Sequence, residues 1–173
     1  MIPSDHFVRF YNEVFKALDR KGRQHLVDYW RALGQLQIKA LGARFRKGGV
    51  QAAKTYWERI IHEENCDARI IDHDDWIEFR MQCCPSLSKV TDNDAGPFKL
   101  YCDHCMAWIE PVMDYAGLHA VMDMRSRTKP QCRMAVCSTR EQAEAFAKKA
   151  KLVSRPYDEN PVRPARTRQR RKQ

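Results

Sequence analysis

Cysteine is the residue type in this chain with the most chemistry to offer, and six of its seven cysteines fall between positions 83 and 137. Cys83 and Cys84 close one apolar stretch, Cys102 and Cys105 are spaced i, i+3, and Cys132 opens another apolar stretch. Side chains three apart on a helix are neighbours. Thiols converging from separate segments can then hold Zn²⁺ in a tetrahedron or supply a nucleophile. Cys84, Cys102 and Cys132 form the candidate set for such a role. The coordinating alternative is Zn²⁺ held by Cys84, Cys102, Cys105 and Cys132. Each has an ordinary reading beside it. A free cysteine on a strand face behaves as a small hydrophobe, and Cys83 reads as core filler alongside Met81 and Met134. His104 follows Cys102 by two positions, roughly 200° around a regular helix, where it would simply be solvated.

Softer candidates surround these. Asp103 and Glu110 could polarise a bound molecule, although carboxylates on an amphipathic helix usually form its wet side. Arg125 and Arg133, on the polar faces of neighbouring strands, could clamp a substrate carboxylate, and Trp76 and Trp108 could wall a pocket or pack in a core.

The elements that must position these groups are legible from periodicity. Phe7, Tyr11, Val14, Phe15 and Leu18 share a helical face that ends near Arg20-Lys21-Gly22. Leu26, Tyr29, Trp30, Leu33, Leu36 and Ile38 predict a second helix running to about Leu41 or Arg44. After the break at Lys47-Gly48-Gly49, Val50, Ala53, Tyr56, Trp57, Ile60 and Ile61 predict a third. The period then drops to two: Ile77, Phe79, Met81 and Cys83 alternate with Glu78, Arg80 and Gln82, with Arg69 to Asp72 as a hairpin partner. HAVMDMRS and QCRMAVC predict a second hairpin. Between the hairpins lie a loop, Ser86 to Pro97, and a helix from about Lys99 to Tyr115, kinked or restarted at Pro111. Ser138-Thr139-Arg140-Glu141 has capping-box spacing before a last helix carrying Ala143, Phe146, Ala147 and Ala150. The expected class is α+β: amino-terminal helices packed with a small antiparallel sheet of about four strands, one helix lying between two hairpins.

Composition bounds the partners. With 31 basic and 22 acidic residues in 173, the chain has the size of one domain and a formal charge of +9. Residues 155–173 carry seven Lys/Arg and two acids, which is +5 of that excess. The expected division is one domain over 1–153 and a basic disordered tail over 154–173, through which nucleic acid could bind by phosphate contacts. The longest uninterrupted apolar run is Cys105 to Ile109, far short of the roughly 18 residues a membrane span needs. Asp5, His6 and Arg9 interrupt any signal-peptide core. A cytoplasmic protein whose thiols stay reduced is expected.

Taken together, the helical opening FYNEVFKAL, the strand ending in CCP, the run YCDHCMAWIEPVMDYAGL and the closing QCRMAV resemble the L-2-amino-thiazoline-4-carboxylic acid hydrolase family over about residues 7–137. The marks are Cys84-Pro85, Cys102 beginning the next helix, Gly117 ending it, and Cys132 in the last strand. The resemblance implies opening of the ring of 2-aminothiazoline-4-carboxylate to give N-carbamoyl cysteine. It would use Cys102 or Cys84 as nucleophile with His104 as base, or Zn²⁺ on the cysteines activating water; Cys102 is the preferred nucleophile. The alternative function is a non-enzymatic small-ligand-binding or sensor domain with a cysteine-bound structural zinc. Either way the partner is a small molecule.

Overall fold

The computed structural model describes residues 3–92 and 96–158. The chain runs α1 (Pro3–Lys21), α2 (Arg23–Gln37), a π-helical turn (Ile38–Gly42), α3 (Ala43–Glu63), β1 (Asp67–Asp72), β2 (Trp76–Cys83), α4 (Pro85–Thr91), α5 (Asp103–Ala116), β3 (His119–Asp123), β4 (Cys132–Cys137) and α6 (Arg140–Lys149). The four strands form one antiparallel sheet in the order β1-β2-β4-β3. This is the α+β arrangement expected from the change of period.

Strand alternation sorts the two faces of the sheet. Ile77, Phe79, Met122, Met134 and Val136 point toward α3 and α5 and share a core with Phe45, Trp57, Met106 and Met113. On the opposite face Ala135 and Cys137 pack under Ala143 and Phe146 of α6. A separate core joins α1 and α2 to α4 and the start of α5 through Val8, Phe15, Leu26, Trp30, Leu87, Val90 and Tyr101. Cys102 packs against both of the larger cores. The seam between them is where the candidate residues gather.

Several local expectations change for identifiable reasons. Residues 85–91, expected within a loop, form α4, because Pro85 occupies the first helical turn, where no N–H is needed, and the Cys84 sulfur accepts from Leu87 N at 3.4 Å. Cys83, expected to be core filler, is exposed at the end of β2, beyond a register shift at Asp67/Ala68, with its sulfur 3.5 Å from Ser88 Oγ. The capping box of α6 sits one residue later than predicted, on Thr139 and Gln142. Ser138 instead donates from its hydroxyl to the Asp75 carbonyl at 2.8 Å.

Pro111 does not interrupt α5. Proline lacks the N–H that would bond the carbonyl four residues back. That carbonyl, Ala107 O, accepts from the Tyr157 hydroxyl at 2.5 Å instead. Ser154 and Pro156 are buried on the same side, and Pro156 O accepts from Arg23 at 2.7 Å. Packing onto the domain therefore continues through Tyr157, past the boundary expected at 153, while residues 159–173 of the expected tail lie outside the described residues.

The Pro111 ring also sets the approach of α2 to α5. A Cβ at Gly34 would lie 2.8 Å from Pro111 Cγ and 3.2 Å from Ala107 O. Gly34→Ala is expected to destabilise the protein by about 1–3 kcal/mol through overpacking, read as a lower urea midpoint with an unchanged slope.

Candidate functional site

Three elements deliver thiols to one narrow cavity at the seam. Cys84 arrives because it caps α4, its own N–H donating to Pro130 O at 2.6 Å. Cys102 and Cys105 arrive at the start of α5, and Cys132 through the first residue of β4, on the face turned toward the helices. Cys84, Cys102, Cys105 and Cys132 line this cavity of ≈ 40 Å³ with His104, Ser86, Tyr101, Met122, Met124, Lys129 and Gln131. The Ser86 and Tyr101 hydroxyls are 2.7 Å apart.

His104 is not the exposed helix residue its spacing suggested. It is 5 % exposed, with ring centroids 4.6 Å from Trp108, 4.8 Å from Tyr101 and 5.4 Å from Phe15. Its Nδ1 hydrogen-bonds the Tyr101 carbonyl, which can only accept, so the ring proton is on Nδ1. Nε2 is then left as an acceptor, and the Cys105 sulfur lies 3.6 Å from it. The thiol that faces a base is thus Cys105, next to it in sequence, and not Cys102.

Burial sets the protonation states. It pushes the Cys84 thiol up to about 11 and Cys105 up to about 12, carries Cys102 higher still, and holds Cys132 well above its ordinary value. Negative charge on a neighbouring sulfur adds to the effect at Cys84, Cys102 and Cys132. The same loss of water lowers His104 to about 4, against the opposing pull of the Tyr101 carbonyl and the Asp103 carboxylate. At neutral pH the pair is therefore a neutral thiol facing a neutral imidazole. A thiolate here forms only as its proton moves onto Nε2.

The zinc alternative does not fit this arrangement. Among the described residues no group of three or more His, Cys, Asp and Glu side chains is disposed to hold a metal ion. The four thiols share walls of the cavity without being drawn to one coordination point.

Most of the softer candidates are committed elsewhere or lie away from the thiols. Asp103 is fully buried, paired with Arg127 and accepting from Ser154 Oγ at 2.9 Å. Arg133 donates to Asp123 Oδ2 at 3.0 Å and lies 3.5 Å from Glu78 Oε1. Glu110 does not line the thiol cavity, and burial raises its carboxyl above the ordinary range. Trp76 stacks on His73 at 3.9 Å and walls a different cleft with Phe146. Trp108 lines a second cavity with Phe45, Tyr56 and Trp57, which touches the first at Cys105. Tyr101, Ser86, Lys129 and Gln131 carry no motif that marks them in the sequence. Only the adjacency of Lys129 and Gln131 to Cys132 hints at them.

Comparison of the chain with family models, with curated proteins and with solved structures finds no match in any of the three. Among the described residues, no helix is long and apolar enough to cross a membrane.

Proposed function

We propose that the protein is a cysteine hydrolase that opens a sulfur-containing cyclic amidine of the 2-aminothiazoline-4-carboxylate type, with Cys105 as nucleophile and His104 as general base. One observation carries the reading: the Cys105 sulfur 3.6 Å from a histidine nitrogen whose ring is oriented through its other nitrogen. Nucleophile, base and orienting acceptor in sequence are the minimum for covalent catalysis. The family resemblance supplies the electrophile.

The chemistry follows from the protonation states. As the Cys105 sulfur bonds to the amidine carbon, its proton passes to His104 Nε2. The tetrahedral adduct collapses by breaking the carbon–sulfur bond of the ring, and the departing sulfur takes the proton from Nε2. Water then attacks the resulting isothiourea carbon, giving a proton to Nε2. Expulsion of the Cys105 sulfur, reprotonated from Nε2, leaves a urea, N-carbamoyl cysteine, and restores the enzyme. The net change is addition of one water.

A neutral resting pair has a defined pH signature. His104 accepts a proton only while unprotonated, so kcat/KM is expected to fall about tenfold per pH unit below about 4 and to stay flat from about pH 5 to pH 9. Burial holds the Cys105 thiol near 12, so ionisation of that thiol introduces no alkaline limb in this range. Following N-carbamoyl cysteine release from 2-aminothiazoline-4-carboxylate across this range tests the reading. A rise centred near 8.5, the range of a free thiol, or no product at any pH, contradicts it.

A further inference from the structure

The geometry points to an anion-binding rim formed by Arg125, Lys129 and Lys151, which holds the carboxylate or phosphate of the molecule whose neutral, electrophilic end enters the thiol cavity. This names the substrate class of the proposed hydrolase and rests on that reading only for what happens inside the cavity.

The rim begins with Asp123, the last residue of β3, which is fully buried. Its Oδ1 accepts from the backbone N–H of Arg125 at 3.0 Å, of Lys151 at 3.1 Å and of Leu152 at 3.1 Å. One carboxylate thus ties two segments together and brings two cationic side chains to a single cleft. Arg125 is held there at φ 57°, a left-handed conformation that a non-glycine residue keeps only when its surroundings enforce it. Across the connection to β4, Lys129 and Gln131 complete the cleft, of ≈ 360 Å³, with no acidic side chain among its lining residues.

Three further observations connect this cleft to the chemistry. Lys129 and Gln131 line both the cleft and the thiol cavity, so the two adjoin at these side chains. Nearby Arg80 and Arg133 are committed to Glu78 and Asp123, whereas Arg125, Lys129 and Lys151 have no ion-pair partner among the described residues. The thiol cavity, at ≈ 40 Å³, has room for the reacting atoms of a ligand and little else. It is also lined by thiols that burial keeps protonated, a setting hostile to charge. A substrate with a charged group must leave that group outside, in the wider cleft, where cations wait for it.

The test uses two alkylating agents of nearly equal size, iodoacetate and iodoacetamide, on the full chain at low salt, with modification of each cysteine resolved by peptide mass. Exposed Cys83 is the internal reference. The iodoacetate-to-iodoacetamide rate ratio at Cys84, Cys102, Cys105 and Cys132 is expected to exceed that at Cys83 by about tenfold, through electrostatic concentration of the anion. It should fall to the Cys83 value in Arg125→Gln/Lys129→Gln/Lys151→Gln. All three side chains are exposed, so the variant is expected to keep its thermal midpoint. Any change in thiol acidity affects both reagents and cancels in the ratio. Competition at matched ionic strength separates the sources: stronger suppression by inorganic phosphate assigns a phosphorylated ligand, stronger suppression by malonate a carboxylated one. A wild-type ratio equal to that of Cys83, a ratio unchanged in the triple variant, suppression by neither anion, or cavity thiols reached by neither reagent overturns the inference. None of these readouts depends on turnover, so absence of hydrolysis with the ratio intact removes the hydrolase reading alone.

Discussion

Asp123→Ala is expected to destabilise the protein by about 3–5 kcal/mol, a larger loss than overpacking at Gly34. The carboxylate is fully buried and satisfies four donors: three backbone N–H groups and the Arg133 guanidinium. Removing it strands the three backbone N–H groups, leaves Arg133 with Glu78 alone, and takes from the left-handed Arg125 the acceptor that holds it. Burial alone would raise the Asp123 carboxyl. The N–H of Leu152, the Arg133 guanidinium and the N–H groups of Arg125 and Lys151 outweigh it, and the carboxyl ends below the ordinary range. Its folded-state proton affinity is thus depressed, so its stabilisation is complete above the unfolded value of about 3.9 and is lost as pH falls through the lower folded value.

His104 acts with the same sign at a higher pH. Folding lowers it from 6.5 to about 4, so the unfolded chain binds a proton that the folded one refuses. Stability from this residue is complete above about 6.5 and declines as pH falls toward 4, by about 3 kcal/mol in all. Urea midpoints measured from pH 7 downward should therefore decline first in the His104 window and then go on declining below pH 4 as Asp123 takes up its proton. His104→Gln should flatten the upper part while leaving the lower.

Cys105→Ala is the second large effect: kcat/KM is expected to fall by at least about a thousandfold, as for loss of a covalent nucleophile. His104→Gln, which keeps the thiol but removes its base, is expected to cost about a hundredfold to ten-thousandfold. Cys102→Ala should cost far less, because that sulfur shares the cavity but faces no base. The ranking is the informative result. Were Cys102→Ala as damaging as Cys105→Ala, the assignment of the nucleophile would be wrong.

The contrast between Cys102 and Cys105 shows where local sequence pattern stops being informative. Period-3.6 and period-2 stretches place every helix but α4, both hairpins and the α+β class, because burial of one face enforces those periods. The convergence of Cys84, Cys102, Cys105 and Cys132 is also legible, since the i, i+3 pair and the inward parity of Cys132 follow from the same geometry. Which thiol meets His104 is not. Helical angles alone place neighbours on different faces. It is the packing of the imidazole between Tyr101, Trp108 and Phe15, with Nδ1 tied to Tyr101 O, that aims Nε2 at Cys105. Likewise the role of Asp123 depends on residues 151 and 152 returning alongside β3, where Met124 N donates to Leu152 O at 2.9 Å. Contacts this distant along the chain leave no local pattern. Pro85 as a helix start is a local signal that the polar composition of the following residues obscures.

The most direct test of the central claim is the mass of the α5 peptide after the protein is mixed with 2-aminothiazoline-4-carboxylate and quenched within a turnover. Attack with ring opening adds the whole substrate and loses nothing, so Cys105 is expected to gain the full substrate mass, with fragmentation placing it on that residue. The adduct should vanish in Cys105→Ser and accumulate more slowly in His104→Gln. Addition at Cys102 or Cys84 instead, or product released while Cys105 remains unmodified and replaceable, would contradict the account.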